Sequence, residues 1–276
     1  MLMREEEQIW EKLTNFFADK SVVIAFSGGL DSTVLLEAAL EKAKKVLAVF
    51  IKTDLIQNED EEVVKEYTKK RNVELRIFRI NLLDNKDVIK NDAIRCYYCK
   101  KTLFSKVKEE MSKENFDIVA EGTNFTDLSD YRPGLKAIKE LEISSPFIEF
   151  GVSKEQIKKI AEYYSFPILK KGATTCLATR IAYNIEITKE RLERIEEAEI
   201  FINNLVEVSS LRVRDHGDLA RIEVNPSAIV KLVEPEIRKK IIETFNKKGF
   251  KYITLDLEGY VQGSMNREIQ QDTKNE

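Results

Sequence analysis

Apolar positions along the chain alternate between two rhythms. From residue 5 to 18 they recur at helical spacing, with Ile9, Leu13 and Phe16 flanked by Trp10 and Phe17, which predicts an amphipathic opening helix. Ser21-Val22-Val23-Ile24-Ala25-Phe26 is then a β-branched run that stops at Gly28-Gly29, and it reads as a strand buried on both faces. The alternation continues with a helix over 30–43, a buried strand over Val46–Ile51, a charged helix over 59–71 and an alternating strand over Glu74–Ile80. A helix from about Cys96 to Met111, a strand over Asp117–Ala120 and helical patterns at 134–141 and 153–164 follow. Strands separated by helices imply βαβ units and a parallel sheet. After about residue 185 the style changes. A long charged helix over 188–206 precedes two strands, Leu211–Arg214 and Ala220–Val224, around the turn His216-Gly217-Asp218. A helix over 234–247 and a strand over Tyr252–Leu257 complete an αββαβ pattern. The predicted fold is therefore α/β: a parallel sheet with helices on both faces over 1–185, a small α+β domain over 186–266, and a polar, disordered tail over 267–276.

Composition narrows the class without naming a function. Apolar residues make up 43% of the 276, enough for a real core, and the 34% that are charged suit a solvated surface. The net charge of −3 argues against a nucleic-acid binder, although a local basic patch stays open. Apolar runs are far shorter than the ~20 residues that span a bilayer, so no membrane partner is expected. The acidic start, Glu5-Glu6-Glu7, does not fit a signal peptide, and three cysteines do not make a disulfide framework, so the expected location is the cytoplasm.

The chemistry begins at Ser27-Gly28-Gly29-Leu30-Asp31-Ser32, between the first strand and its helix. Glycines let backbone approach an anion, loop N–H groups and the helix N-terminus converge on one spot, and Ser27, Ser32 and Thr33 add hydroxyls. This is a phosphate cradle. The Gly-Lys-Ser/Thr ending of a Walker A loop is absent, as is the third glycine of the dinucleotide fingerprint. A plain strand-to-helix turn capped by Ser32 or Asp31 is the competing reading. The next strand ends at Phe50-Ile51-Lys52-Thr53, where backbone near Lys52 could meet adenine. The fourth leads into Glu121-Gly122-Thr123-Asn124-Phe125-Thr126-Asp127, where Gly122 permits close approach, Thr123 offers a hydroxyl and Asp127 a hard oxygen for Mg²⁺. An Asx-type turn would use the same Asn124 and Asp127. Arg132, before a helix, could clamp a phosphate or carboxylate or simply be a surface arginine. Lys158, Lys159, Lys170, Lys171 and Arg180, which meet only one acid, Glu162, would suit an anionic substrate; a solvated helix face explains Lys158 and Lys159 equally well.

Cys96 and Cys99 form a C-x-x-C pair at a predicted helix start, and Cys176 lies in Thr174-Thr175-Cys176-Leu177-Ala178-Thr179-Arg180. Buried structural cysteines, a redox pair, an incomplete zinc site lacking a nearby histidine, and a three-thiolate iron–sulfur cluster with one open iron all remain compatible with the spacing.

Ser27–Ser32 resembles the SGGxDS signature of the PP-loop ATP pyrophosphatase superfamily, which cleaves ATP between the α and β phosphates; GMP synthetase, NAD synthetase and tRNA thiolation enzymes are members. Together with Arg95–Phe104, Glu121–Ala137, Cys176–Tyr183, Leu211–Glu223 and Asp256–Met265, the chain resembles the LarE-type ATP-dependent sulfur transferases over nearly its whole length. The resemblance implies the adenine nucleotide alpha hydrolase-like fold. It also implies ATP and Mg²⁺ as cofactors, with Ser27, Gly28, Gly29, Asp31, Ser32, Lys52, Gly122, Thr123 and Asp127 as the ATP site, Asp127 for Mg²⁺, and Asp31 and Ser32 in catalysis. It implies adenylation of pyridinium-3,5-biscarboxylic acid mononucleotide and sulfur replacing AMP to give a thiocarboxylate, on the way to the nickel-pincer nucleotide of lactate racemase. Cys176 would handle sulfur. Arg132, Arg180, Arg212 and Arg214 would bind substrate, and Glu199 or Glu197 matches an active-site acid. Some members give up the sulfur of one cysteine and end as dehydroalanine. The additional Cys96 and Cys99 match instead the type in which Cys96, Cys99 and Cys176 hold a [4Fe-4S] cluster fed by sulfide or another sulfur donor. Family members are oligomers, so a homo-oligomer is expected. A tRNA-thiolating or amide-forming PP-loop enzyme is the alternative.

Overall fold

The computed structural model describes residues 4–56, 60–167, 176–267 and 269. The predicted tail over 267–276 lies, apart from Arg267 and Ile269, outside the described residues, as do Lys170 and Lys171. The chain divides into two compact units, Met1–Asn81 with Cys96–Thr174, and Leu82–Arg95 with Thr175–Glu276. The sequence reading drew the boundary at 185/186. The structure assigns the turn that carries Cys176 to the second unit and adds Leu82–Arg95 to it, because buried Asn91 hydrogen-bonds the Ala182 and Ile185 carbonyls at 2.8 and 2.9 Å.

In the first unit, chain order gives α1 (Glu5–Phe17), β1 (Ser21–Ala25), α2 (Leu30–Lys42), β2 (Lys45–Thr53), α3 (Asp60–Lys70) and β3 (Glu74–Ile80). After α4 (Lys86–Ile89), which belongs to the second unit, come α5 (Arg95–Met111), β4 (Ile118–Ala120), α6 (Gly134–Glu140), α7 (Pro146–Glu149) and α8 (Lys154–Tyr163). The strands form one parallel sheet in the order β3-β2-β1-β4. Strand periodicity sends alternate side chains to opposite faces. Val22, Ile24, Ala48 and Phe50 pack with Leu13 and Phe17 of α1, Ala38 of α2, Val64 of α3 and Ile157 of α8. Val23, Leu47 and Val49, one position over, pack on the other face with Val107 and Met111 of α5. Helices cover both faces, as the continuous apolar runs predicted.

The order β3-β2-β1-β4 fixes where a ligand goes. The chain leaves β1 toward β2 and β3 on one side, then returns to place β4 on the other. The carboxyl ends of β1 and β4 therefore flank the switch point, where ligands of open parallel sheets bind.

The second unit carries α9 (Lys189–Leu205), β5 (Leu211–Asp215), β6 (Leu219–Val224), α10 (Pro226–Val233), α11 (Pro235–Lys247) and β7 (Tyr252–Leu255). β5 and β6 are antiparallel, and β7 joins β6 in parallel. Val213, Ala220, Ile222 and Val224 pack with Ala198 and Ile202 of α9 and with Ile241 and Phe245 of α11. The sequence reading missed α10. Pro226 and Pro235 each occupy the first turn of a helix, where a missing N–H costs nothing, so one apolar stretch becomes two helices. The short α4 and α7 were also missed; each is a single turn, begun by the Asn85 side chain and by Pro146 respectively. Among the described residues no helix is long and apolar enough to cross a membrane.

Candidate functional site

A cleft of about 790 Å³ opens at the switch point of the first unit. Its walls include Ser27, Gly29, Asp31 and Ser32 from the β1–α2 loop, Phe50 and Ile51 of β2, Gly122, Thr123 and Asp127 after β4, and Lys100, Lys154 and Lys158. Gly28 has φ +74°, a left-handed turn that favours glycine, and this swings the chain into α2. Ser32 is buried, and its Oγ donates to the Gly29 carbonyl at 3.0 Å and lies 3.2 Å from Ser27 Oγ. Thr33 Oγ1 bonds the same carbonyl at 3.0 Å. These hydroxyls brace the loop around the N-terminus of α2, a thirteen-residue helix whose first-turn N–H groups and positive dipole end suit an anion.

The β4 loop closes on this cradle. A Cβ built on Gly122 would stand 3.1 Å from the Ser32 backbone nitrogen and 3.3 Å from the Asp31 carbonyl carbon, so only glycine lets the two loops touch freely. The Asp31 carboxylate accepts from Asn124 Nδ2 at 3.1 Å and pairs with the Lys154 ammonium. Asp127 and Asn124 cap one another reciprocally, each accepting from the other's backbone N–H at 3.2 Å, and Asp127 Oδ1 also accepts from Arg132 at 2.6 Å. The Asx turn and the cleft-facing carboxylate thus coexist in one residue.

Glu121, at the base of this loop, is buried. Burial alone would raise its carboxyl. Lys100, with the hydroxyls of Thr123 at 2.5 Å and Ser145 at 2.7 Å, outweighs burial and holds it below the usual carboxylate value. Lys100 Nζ reaches Glu121 at 3.1 Å and Thr123 Oγ1 at 3.3 Å. Lys52 is not among the described residues that line the cleft, although Phe50 and Ile51 beside it are. Arg132 is 41% exposed. Lys159 pairs with Glu155 at 3.0 Å, an acid that the sequence reading did not set against it, and Lys158 lies 3.7 Å from Glu162.

In the second unit Cys176 caps the 3-10 turn Leu177–Arg180. Two of the predicted substrate arginines brace this turn. Arg180 is 2% exposed; its Nε and NH2 lie 3.1 and 3.3 Å from the Glu199 carboxylate, and its NH1 donates to the Cys176 carbonyl at 3.0 Å. Arg214 is 5% exposed, forks onto Glu223 Oε2 at 2.9 and 2.7 Å, and donates to the Thr179 carbonyl at 3.2 Å. Glu199 also accepts from the Val213 N–H at 3.0 Å, whereas Glu197 pairs with Lys248. Arg212 differs: its guanidinium sits 5.1 Å over the Tyr260 ring, and burial, then the neighbouring Arg180 charge, push its pKa down. An anion placed there would relieve that repulsion.

The residues of the cleft fit a nucleotide with Mg²⁺: a braced anion cradle, a bare backbone approach at Gly122, and hard oxygens from Asp31 and Asp127. The cluster is a different case. Cys96 and Cys99 lie one turn apart at the start of α5, in the first unit, and supply two thiolates; Cys176 belongs to the second unit. Among the described residues no group of three His, Cys, Asp or Glu side chains converges to hold a metal ion, so neither unit by itself offers a three-thiolate set.

Residues 2–124 match the PP-loop domain family, the stretch that holds β1 to β4, the phosphate loop and the first part of the β4 loop. The full chain is 39% identical, over 88% of its length and 92% of the relative, to an uncharacterised protein of Methanocaldococcus jannaschii. The chain belongs to the PP-loop family. An uncharacterised Synechocystis protein is 34% identical over 93% of this chain and 96% of its own. The pyridinium-3,5-bisthiocarboxylic acid mononucleotide synthase of Lactiplantibacillus plantarum is 28% identical over 89% of this chain and 88% of its own. The match extends through both units, so the similarity to LarE-type proteins is not confined to the PP-loop domain. The protein is an ATP-using enzyme of this family.

The sequence reading gave no role to Lys100, Glu121 or Lys154 and read Asn124 only as a turn residue. A signal for Lys154 existed. Ser153 and Gln156 form a capping box, which puts a lysine at the first position of α8, where a cation opposes the helix dipole unless an anion stands nearby.

Proposed function

We propose that the protein is an ATP-dependent sulfur transferase that adenylates a carboxylate of pyridinium-3,5-biscarboxylic acid mononucleotide and exchanges AMP for sulfur. The carrying observation is the PP-loop cleft of the first unit in a chain 28% identical, over 89% of its length, to the Lactiplantibacillus synthase. A substrate carboxylate oxygen attacks the α-phosphorus of ATP, and the bond to the β-phosphate oxygen breaks. Pyrophosphate leaves into the cradle of Ser27, Gly28, Gly29 and Ser32; Gly122 and Thr123 would lie against the nucleotide, and Asp31 and Asp127 would hold Mg²⁺, which would neutralise phosphate charge. The mixed anhydride makes AMP a good leaving group, so a sulfur nucleophile at the acyl carbon yields the thiocarboxylate. Arg132, Arg180, Arg212 and Arg214 would meet anionic groups of the substrate, and Arg180 and Arg214 also brace the turn on which Cys176 sits.

The sulfur source divides the reading in two. In the first, Cys96, Cys99 and Cys176 together hold a [4Fe-4S] cluster; when bound, it supplies an iron without a protein thiolate, at which sulfide can be held. In the second, Cys176 itself gives up sulfur and is left as dehydroalanine. Intact mass after turnover separates them. Retained Cys176 sulfur, with iron content that falls in each Cys→Ala variant, supports the cluster. Loss of one sulfur from Cys176, with Cys96→Ala and Cys99→Ala active, supports the sacrificial route. Production of ADP in place of AMP and pyrophosphate would overturn both.

A further inference from the structure

We infer that Lys154 is a tethered counter-cation for Asp31 that Mg²⁺ must displace when nucleotide binds, and that the displaced ammonium moves onto the phosphates. The inference rests on the reading of this cleft as the nucleotide site. Asp31 lies in the first turn of α2 and is the acidic residue of the phosphate loop. Its carboxylate holds two partners, the Asn124 amide at 3.1 Å and the Lys154 ammonium. Asn124 is 3% exposed and fixed by its reciprocal cap with Asp127, so it holds one carboxylate oxygen in place. Lys154 is the mobile partner. Its side chain is half exposed, it starts α8 and lines the cleft, and its ammonium rests on the carboxylate that a hard cation would use.

Lys154 holds Asp31 Oδ1 and Asn124 holds Oδ2, so a Mg²⁺ ion that takes the carboxylate competes with the ammonium. The nearest new anion is the phosphate chain bound at the same cradle, which keeps Lys154 in the cleft. Lys158, one turn along α8 and also lining the cleft, presents a second positive charge on the same side. In the empty site the pair neutralises Asp31, which would otherwise repel a polyphosphate. The lysine therefore lowers the metal requirement for nucleotide entry while weakening the hold of Asp31 on Mg²⁺. These opposite effects distinguish a competing cation from a simple phosphate ligand.

The test measures binding of α,β-methylene-ATP by calorimetry, with and without saturating Mg²⁺, to the full-length wild type, Lys154→Gln and Lys154→Arg. In Lys154→Gln, metal-free binding weakens and the stimulation by Mg²⁺ grows by roughly five- to tenfold, the scale of a half-exposed ion pair plus a charge-assisted phosphate contact. Lys154→Arg, which keeps the charge, retains most of the wild-type ratio. Equal weakening with and without Mg²⁺ would mean a plain phosphate contact and would overturn the competition. An unchanged ratio and affinity would do the same. If the wild type failed to bind the analogue at all, the nucleotide reading of the cleft would fall and this inference with it.

Discussion

Gly122→Ala adds a single methyl group at the closest approach of the two cleft loops. That carbon would sit 3.1 Å from the Ser32 nitrogen and 3.3 Å from the Asp31 carbonyl carbon, where ordinary carbon contacts begin near 3.4 Å. Both neighbours are backbone atoms of the first turn of α2, so neither can rotate away. The gap must open by a few tenths of an ångström, either by lifting the β4 loop or by shifting the cradle. Overpacking of this kind costs about 1–3 kcal/mol. The β4 loop is held by the buried Glu121 network and the Asn124–Asp127 cap, so most of the displacement falls on the phosphate loop. Phosphate affinity then drops by roughly ten- to a hundredfold, since each ~1.4 kcal/mol is tenfold. Unfolding free energy falls by about 1 kcal/mol or less. Calorimetric binding of α,β-methylene-ATP alongside denaturant unfolding separates the two quantities. Wild-type affinity together with wild-type stability would refute the claim that the close approach at Gly122 sets the cradle. A loss confined to stability would show that the strain is taken up elsewhere.

Two further predictions concern buried charge. Glu121→Gln leaves Lys100 without its carboxylate and should cost about 2–3 kcal/mol at neutral pH. Because the Glu121 carboxyl is held below its usual 4.5, its contribution is full above that pH and is lost as the pH falls below it, so the wild-type and variant stability curves should converge on acidification; parallel curves would contradict the assignment. Arg180→Ala strips the buried Glu199 carboxylate and should cost about 3–5 kcal/mol, part of which the double variant Arg180→Ala/Glu199→Gln recovers; additive losses in a double-mutant cycle would argue that the two side chains do not act as a unit.

The fold was legible because β1 and β2 are continuous apolar runs and the helices keep apolar spacing, so the parallel sheet followed from periodicity alone. The phosphate loop was legible because its glycines and serines are consecutive. Contacts between segments distant in sequence were not. Nothing local pairs Asp31 with Lys154, or Lys100 with Glu121, and each of those lysines reads as surface charge until the sheet brings the segments together. The ion pairs of Arg180 and Arg214 were hidden for the same reason, since their partners Glu199 and Glu223 lie in α9 and on the facing strand. The division of the chain at the Cys176 turn was hidden because Asn91, one of the residues that tie it to the second unit, lies far upstream.

The central claim is that ATP cleavage to AMP and pyrophosphate is coupled to replacement of a carboxylate oxygen by sulfur. The direct measurement is anaerobic incubation of the full-length protein with ATP, Mg²⁺, sulfide and pyridinium-3,5-biscarboxylic acid mononucleotide, with mass spectrometry of the product and quantification of AMP. The mononucleotide should gain the mass of an oxygen-for-sulfur exchange, matched one-to-one by AMP. AMP formation without sulfur in the product, or sulfur transfer that proceeds without ATP, would contradict it.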